Sequence, residues 1–231
     1  MTVSKNILNE YYISILTEEE IKEKEKLNRK IGIDLGLTYF YTDSNGNKVS
    51  NPRNYKKLEN KLKKQQKILS RRKKGSNRYL RQRKRVFKTH QKIKNCRKDF
   101  LHKLSTKLIN ENQVICLEDL DVKKMIEKFN LSKNISDVSW SQFVEYLKYK
   151  SDWYGRELLF VDKYFASSKV CNNCGNKKED LKLSDRIYKC NFCEYEEDRD
   201  LNAAKNILDK ITNRWDNGDS SGKDKTLVLC H

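Results

Sequence analysis

Two cysteine pairs, Cys171-x-x-Cys174 and Cys190-x-x-Cys193, stand 15 residues apart in this 231-residue chain, and they constrain the fold more than any other feature. At that spacing two tight turns close on each other and hold one tetrahedral ion with four thiolates. Gly175 follows the first pair, where such a turn favours a residue at home at positive φ. The stretch "LKLSDRIYKC" supplies a turn and a short strand between the pairs. Four thiolates leave no coordination position open for water or substrate, so the ion expected here is structural zinc. The total of seven cysteines is odd. The opening "MTVSKNILNEYYISIL" lacks the basic, long-apolar and small-residue segments of a secretory signal. Both facts favour metal over disulfides and a cytoplasmic, nucleoid-associated protein. Cys96 and Cys116 sit in apolar patterns and are expected to be small buried side chains. Cys230 and His231, at a polar terminus, are assigned no role.

Charge is the second constraint. The chain has a formal net charge of +18, yet Lys56 to Lys107 alone holds 22 basic residues against Glu59 and Asp99, a net of +20, which leaves the rest at −2. Such a stretch either lies on a polyanion or stays solvated and self-repelling, and nucleic acid is the commonest polyanion a soluble protein meets. No run of 18 apolar residues is present, so a membrane-spanning role is not expected.

Local patterns order the elements. "EYYISIL" suits a strand, and a charged connector leads from it to Lys30. "KIGIDLGLTYFYTDSNGNKV" reads as a hairpin in which Ile31, Ile33, Leu35 and Leu37 alternate and an Asn-Gly turn precedes the return strand. From Tyr55 to about Asn110 there is no proline, and Gly75 is expected to separate two basic helices. The second has an apolar stripe at Ile93, Cys96, Phe100, Leu104 and Leu108. "QVICLE" reads as a buried strand, Trp140 to Tyr154 as a helix, "ELLFVDKYF" as a strand and "DLNAAKNILDKI" as a final amphipathic helix. That order predicts an α/β fold with a mixed sheet and a small metal module between its last strand and last helix.

Three acids stand out. Asp34 lies mid-strand between Gly32 and Gly36, which share its face, so something bulky is expected to approach there. A strand-interior carboxylate needs a cation, either an ion-pair partner or a metal. Glu118 ends the run "VICLE" on the face of Val114 and Cys116, as a metal ligand or as a plain polar strand end. Asp200 heads the last helix in register with Ala203, Ala204, Ile207 and Ile211, whereas Asp198 precedes that register; either could be an N-cap. Glu194, Glu196 and Glu197 are expected to be solvated. Together Asp34, Glu118 and Asp200 offer oxygen ligands for a pair of Mg²⁺ or Mn²⁺ ions about 4 Å apart, the arrangement that cleaves phosphodiesters.

In order along the chain, "GIDLG" (32–36), "LEDL" (117–120), "SSKVCNNCG" (167–175), "CNFC" (190–193) and "DRDLNAAKNI" (198–207) resemble the C-terminal half of the transposon-encoded TnpB/OrfB proteins. The resemblance covers roughly Tyr11 to Lys210. It implies an RNA-guided DNA endonuclease, associated with transposition and recombination, with an RNase H-like, RuvC-type core. The nuclease acids then fall on Asp34, Glu118 and Asp200, and the zinc ligands on Cys171, Cys174, Cys190 and Cys193. The basic helices would meet guide RNA and the guide–target duplex through phosphates. Their candidate contacts are Arg71, Arg72, Lys73, Lys74, Arg78, Arg81, Arg83, Lys84 and Arg85, with no membrane and no small-molecule substrate as partner.

The resemblance also divides the chain. Residues 1–29 correspond to a remnant of an N-terminal wedge-like β-barrel plus connector, and 30–167 to the nuclease core with a basic helical insertion at 55–111. A zinc ribbon follows at 168–197, then a final helix at 198–213 and a flexible tail at 214–231. Full-length relatives have a recognition region ahead of this point, so the chain reads as N-terminally truncated. The competing expectation is a nuclease-impaired nucleic-acid-binding remnant or repressor. A DNA-joining transposase on the same core is a third.

Overall fold

The alternation after Lys30 builds the centre of the protein. A computed structural model describes residues 1–121, 139–182 and 184–216, and the chain folds as two compact units. The expected tail, with Cys230 and His231, lies outside the described residues from 217 onward. Among the described residues no helix is long and apolar enough to cross a membrane.

One unit comprises Met1–Lys22 and Pro52–Lys103. Strands β1 (Thr2–Lys5) and β2 (Tyr11–Ser14) pair antiparallel, with Thr2 opposite Ser14 and Lys5 opposite Tyr11. Helices α1 (Asn54–Ser70) and α2 (Asn77–Glu111) are separated at Gly75, whose φ of 82° stops a helix. Polar groups also join them: the Gln82 Nε2 donates to the Gln65 carbonyl at 3.0 Å and the Thr89 hydroxyl to the Gln65 side chain at 2.7 Å.

The buried stripe of α2 differs from the expected one. Ile93, Leu104 and Leu108 are buried as expected, but so are Leu101 and Ile109, while Cys96 is exposed. At 100° per residue, the centre of the buried set lies about 120° around the helix from Cys96. Cys96 is therefore not the small core side chain its apolar neighbours suggested; Cys116 is.

The other unit, Glu23–Asn51 and Leu104 onward, contains a five-stranded mixed sheet of order β5-β4-β3-β6-β7. Strands β3 (Lys30–Leu35), β4 (Tyr39–Asp43) and β5 (Lys48–Ser50) form an antiparallel meander, and β6 (Val114–Glu118) and β7 (Glu157–Val161) add parallel to β3. The expected single hairpin is thus two. The first reversal falls at Gly36–Thr38, which removes Leu37 from the strand, and the Asn-Gly turn joins β4 to β5. There the Asp43 carboxylate accepts the backbone N–H groups of Asn45 and Asn47, both at 2.9 Å, and Gly46 takes φ 88°.

Helices α3 (Trp140–Tyr154) and α4 (Arg199–Asp216) belong to this unit. Phe143 of α3 meets Phe40 edge-on at 5.0 Å. Ile207 and Ile211 of α4 pack with Val114, Cys116 and Val161, the face that also carries Asp34 and Glu118. Two short antiparallel strands, β8 (Ile187–Lys189) and β9 (Glu196–Asp198), close the segment between β7 and α4.

Candidate metal centre and carboxylate face

Strand register brings the first two acids together. β3 and β6 run parallel with Gly32 opposite Cys116 and Ile33 opposite Leu117, so Asp34 and Glu118 are the next pair in line. They share one face of strands about 4.8 Å apart.

Helix geometry supplies the third. A Cβ built on Gly32 would lie 2.2 Å from the Ala204 carbonyl oxygen and 2.8 Å from Leu208 Cβ, so α4 rests on the strand backbone itself. At Gly32 the bulky object anticipated is this helix, whereas a Cβ on Gly36 would meet only the Tyr39 carbonyl. Asp34 lies two residues beyond Gly32, about 6.6 Å along a strand. Asp200 lies four residues before Ala204, about 6 Å along a helix. The two carboxylates are therefore brought to the same level, and they interact electrostatically. The Asp34 carboxyl is pushed well above the usual carboxylate range, first by burial and then by Glu118 and Asp200, with Arg199 opposing. Burial also raises Glu118, against a hydrogen bond donated by the Ser167 hydroxyl. Asp200 pairs with Arg199 at 3.0 Å.

Asp198 does something else. Its Oδ1 accepts the Leu201 N–H at 3.1 Å, capping α4, and its Oδ2 takes Lys48 at 2.6 Å. Burial opposes its ionisation, but these partners hold it below the ordinary Asp value. Glu197 departs from expectation. It is not solvated, but bonds the Tyr195 hydroxyl and the Lys205 ammonium, both at 2.5 Å. Its β9 position turns it towards α4, which a count of clustered acids does not reveal.

The four cysteines converge. All their sulfurs lie within 4.8 Å of one another, with Cys171 and Cys193 at 3.7 Å and Cys174 and Cys190 at 3.6 Å. A tetrahedron with metal–sulfur bonds of about 2.3 Å has edges of about 3.8 Å, so the donor set fits a metal such as zinc. Gly175 has φ 73° after the first pair, and Glu194 adopts φ 59° after the second. The Phe192 N–H points at the Cys190 sulfur at 3.4 Å. Donation from the Tyr195 backbone, then from the Asn173 side-chain amide, draws the Cys193 thiol down to about 6. Among the described residues this is the one group of three or more potential ligands drawn so close.

Ser167, Arg199 and Lys48 escaped the sequence reading. Arg199 had a signal, a lone cation between Asp198 and Asp200; Ser167 and Lys48 had none beyond their residue type. The nine cations from Arg71 to Arg85 are all exposed. Among the described residues no carboxylate forms an ion pair with them.

A mixed sheet crossed by one helix is a fold shared with Cas12f1. Two solved structures, titled "Cryo-EM structure of the Cas12f1-sgRNA-target DNA complex" and "Cryo-EM structure of CRISPR-Cas12f Ternary Complex", match with TM-score 0.56 at 19% identity. They cover 86% of this chain and 52% and 41% of theirs. The chain belongs to the OrfB_IS605 family, whose model, described as "Probable transposase", matches residues 13–128. A Cas12f1-like TNB domain model matches residues 140–207.

Relatives extend the match. A Streptomyces pristinaespiralis protein named "Putative RNA-guided DNA endonuclease" is 40% identical over 208 residues, covering 90% of this chain and 52% of that protein. "Putative RNA-guided DNA endonuclease InsQ" of Escherichia coli K12 is 31% identical, covering 90% and 55%. "TnpB-like protein L79" of Acanthamoeba polyphaga mimivirus is 34% identical, covering 88% and 41%. The chain spans about half the length of these relatives.

Proposed function

We propose that the chain is the nuclease portion of an RNA-guided DNA endonuclease of the TnpB type, hydrolysing phosphodiesters with divalent cations. The observation that supports this reading is that Asp34 and Glu118 are adjacent in register and that Glu118 and Asp200, the latter on the helix packed over Gly32, both act electrostatically on the Asp34 carboxyl. Burial raises the carboxyls of Asp34 and Glu118, so negative charge there is costly until a cation shares it. Bound Mg²⁺ or Mn²⁺ would supply an activated water and stabilise the leaving oxygen. The protein's own contribution is to hold three oxygen donors on a rigid strand pair and helix, and to place Arg199 beside Asp200.

On this reading the sheet with α3 and α4 is an RNase H-like, RuvC-type core, residues 55–111 a basic helical insertion, and 168–197 a ribbon holding structural zinc. Residues 1–29 would be a remnant of a wedge-like β-barrel plus connector, and 198–213 the final core helix. The nine exposed cations would take phosphates of guide RNA and target DNA, whose base pairing reads the sequence.

The test is cleavage of target DNA by the chain with guide RNA in Mg²⁺ or Mn²⁺, alone and with the N-terminal half of a longer relative supplied. Cleavage lost in Asp34→Ala and Asp200→Ala supports the assignment; cleavage equal to wild type refutes it. Salt-dependent binding with no cleavage in either arrangement would favour a binding remnant or repressor.

A further inference from the structure

We infer that Ser167 is a positioning residue for Glu118, fixing this strand-borne carboxylate relative to the helix that carries Asp200. The inference rests on reading Glu118 as a cation ligand.

Ser167 is 4% exposed and makes two kinds of bond in opposite directions. Its hydroxyl donates to Glu118 Oε1 on β6. Its carbonyl accepts the Asn206 Nδ2 of α4 at 2.8 Å. The same amide donates to the Val170 carbonyl at 2.7 Å, and the Asn202 amide donates there at 2.8 Å. Segment 167–170 is thus fastened to α4 at two successive turns by asparagines that are 0% and 5% exposed. The fastening continues into the first cysteine turn. The Asn172 N–H donates to Asn202 Oδ1 at 3.0 Å, and the Asn172 amide to Asn206 Oδ1 at 3.1 Å and Asp209 at 2.7 Å.

A carboxylate at a strand end has rotamers to choose from, and the one that aims its free oxygen at a cation must be selected. The Ser167 hydroxyl occupies Oε1 as a donor, which leaves Oε2 as the oxygen free to ligate. Because Ser167 is itself tied to α4, Glu118 keeps its relation to Asp200 whatever small shifts the sheet makes. Groups that orient metal ligands in this way typically account for 10- to 100-fold in metal affinity.

The experiment measures Mn²⁺ binding to the full chain, by electron paramagnetic resonance of free Mn²⁺, with bound zinc and melting temperature recorded for every variant. Ser167→Ala is expected to bind Mn²⁺ 10- to 100-fold more weakly with zinc content unchanged. Ser167→Thr, which keeps the hydroxyl, is expected to recover most of that loss. Wild-type affinity in Ser167→Ala overturns the inference, as does equal weakening by Ala and Thr, which would make the effect one of space. Glu118→Gln separates the two levels. If it weakens binding while Ser167→Ala does not, the positioning role fails and the cation site stands. If Glu118→Gln binds as wild type, Glu118 is no ligand and both fall.

Discussion

Gly32→Ala is the substitution on which the carboxylate face most directly depends. The added Cβ would stand 2.2 Å from the Ala204 carbonyl oxygen, 2.8 Å from Leu208 Cβ and 2.9 Å from the Leu208 nitrogen. Two of these three are helix backbone, which has no rotamer to escape into. Ordinary contact is ~3.5 Å, so α4 must withdraw by about 1 Å along a face packed by Ile207 and Ile211. Overpacking costs about 1–3 kcal/mol, and an unyielding neighbour puts this case at the upper end. For a protein of this size each kcal/mol lowers Tm by about 2–4 °C, giving a fall of roughly 6–12 °C. The same retreat carries Asp200 away from Asp34, and a displacement of about 1 Å in reacting groups costs on the order of 100-fold in rate. Gly36→Ala is the internal control, since its Cβ meets only the Tyr39 carbonyl, at 3.1 Å. Calorimetric melting and Mn²⁺ titration of both variants check the argument. A Gly32→Ala protein melting within about 1 °C of wild type, or a Gly36→Ala protein that is the more damaged, refutes the close packing of α4 on β3.

Asp34→Asn should stabilise the protein in buffer free of Mg²⁺ and Mn²⁺. A carboxyl raised on folding favours the native state fully only below its unfolded value near pH ~4, and that contribution is lost as pH rises through the folded value. Urea unfolding should show a gain of about 1–2 kcal/mol at neutral pH that vanishes by pH ~4; a pH-independent difference contradicts the burial of charge. Asp198→Asn should leave cleavage largely intact and Asp200→Asn abolish it, because the first caps α4 and pairs with Lys48 while the second faces Asp34. Equal losses in a cleavage assay would remove that distinction. Replacing Arg81 and Arg85 by Ala should weaken RNA binding uniformly across sequences and flatten the salt dependence by about 0.7–0.9 per lost phosphate contact, read by a shift assay over a range of salt.

Much of this was legible because periodicity reports which face is buried. The alternation Ile31, Ile33, Leu35 and the run "VICLE" located two adjacent strands, and their acids followed by counting in twos. The four cysteines were legible from spacing alone. What failed depended on neighbours far away in sequence. Cys96 sits in an apolar pattern, yet the face of α2 that is buried passes about 120° from it, and nothing local marks that rotation. Glu197 sits among solvated acids, yet Tyr195 and Lys205 claim it. Ser167 is one serine among many until β6 and α4 are both in place.

The acid-rich stretch 194–200 combines three separate physical tasks without a spacer between them. β9 pairs with β8 as far as Asp198, opposite Ile187, and α4 begins at Arg199. Asp198 is therefore the last residue of the strand that closes the cysteine module and also the cap of the helix. Asp200 follows two residues later, so no loop is available to absorb a shift of the module. Lys205 and Glu197 hold the junction on one side, and Asn172 with Asn202 and Asn206 on the other. A protein whose thiolate site is disordered should then lose definition at Asp200 and, through Ser167, in the orientation of the Glu118 side chain, while Asp34, on β3, keeps its own. The four cysteines and Asp200 are thereby joined through the chain: the strand that closes the thiolate cluster ends where α4 starts, and Asp200 is the second residue of that helix.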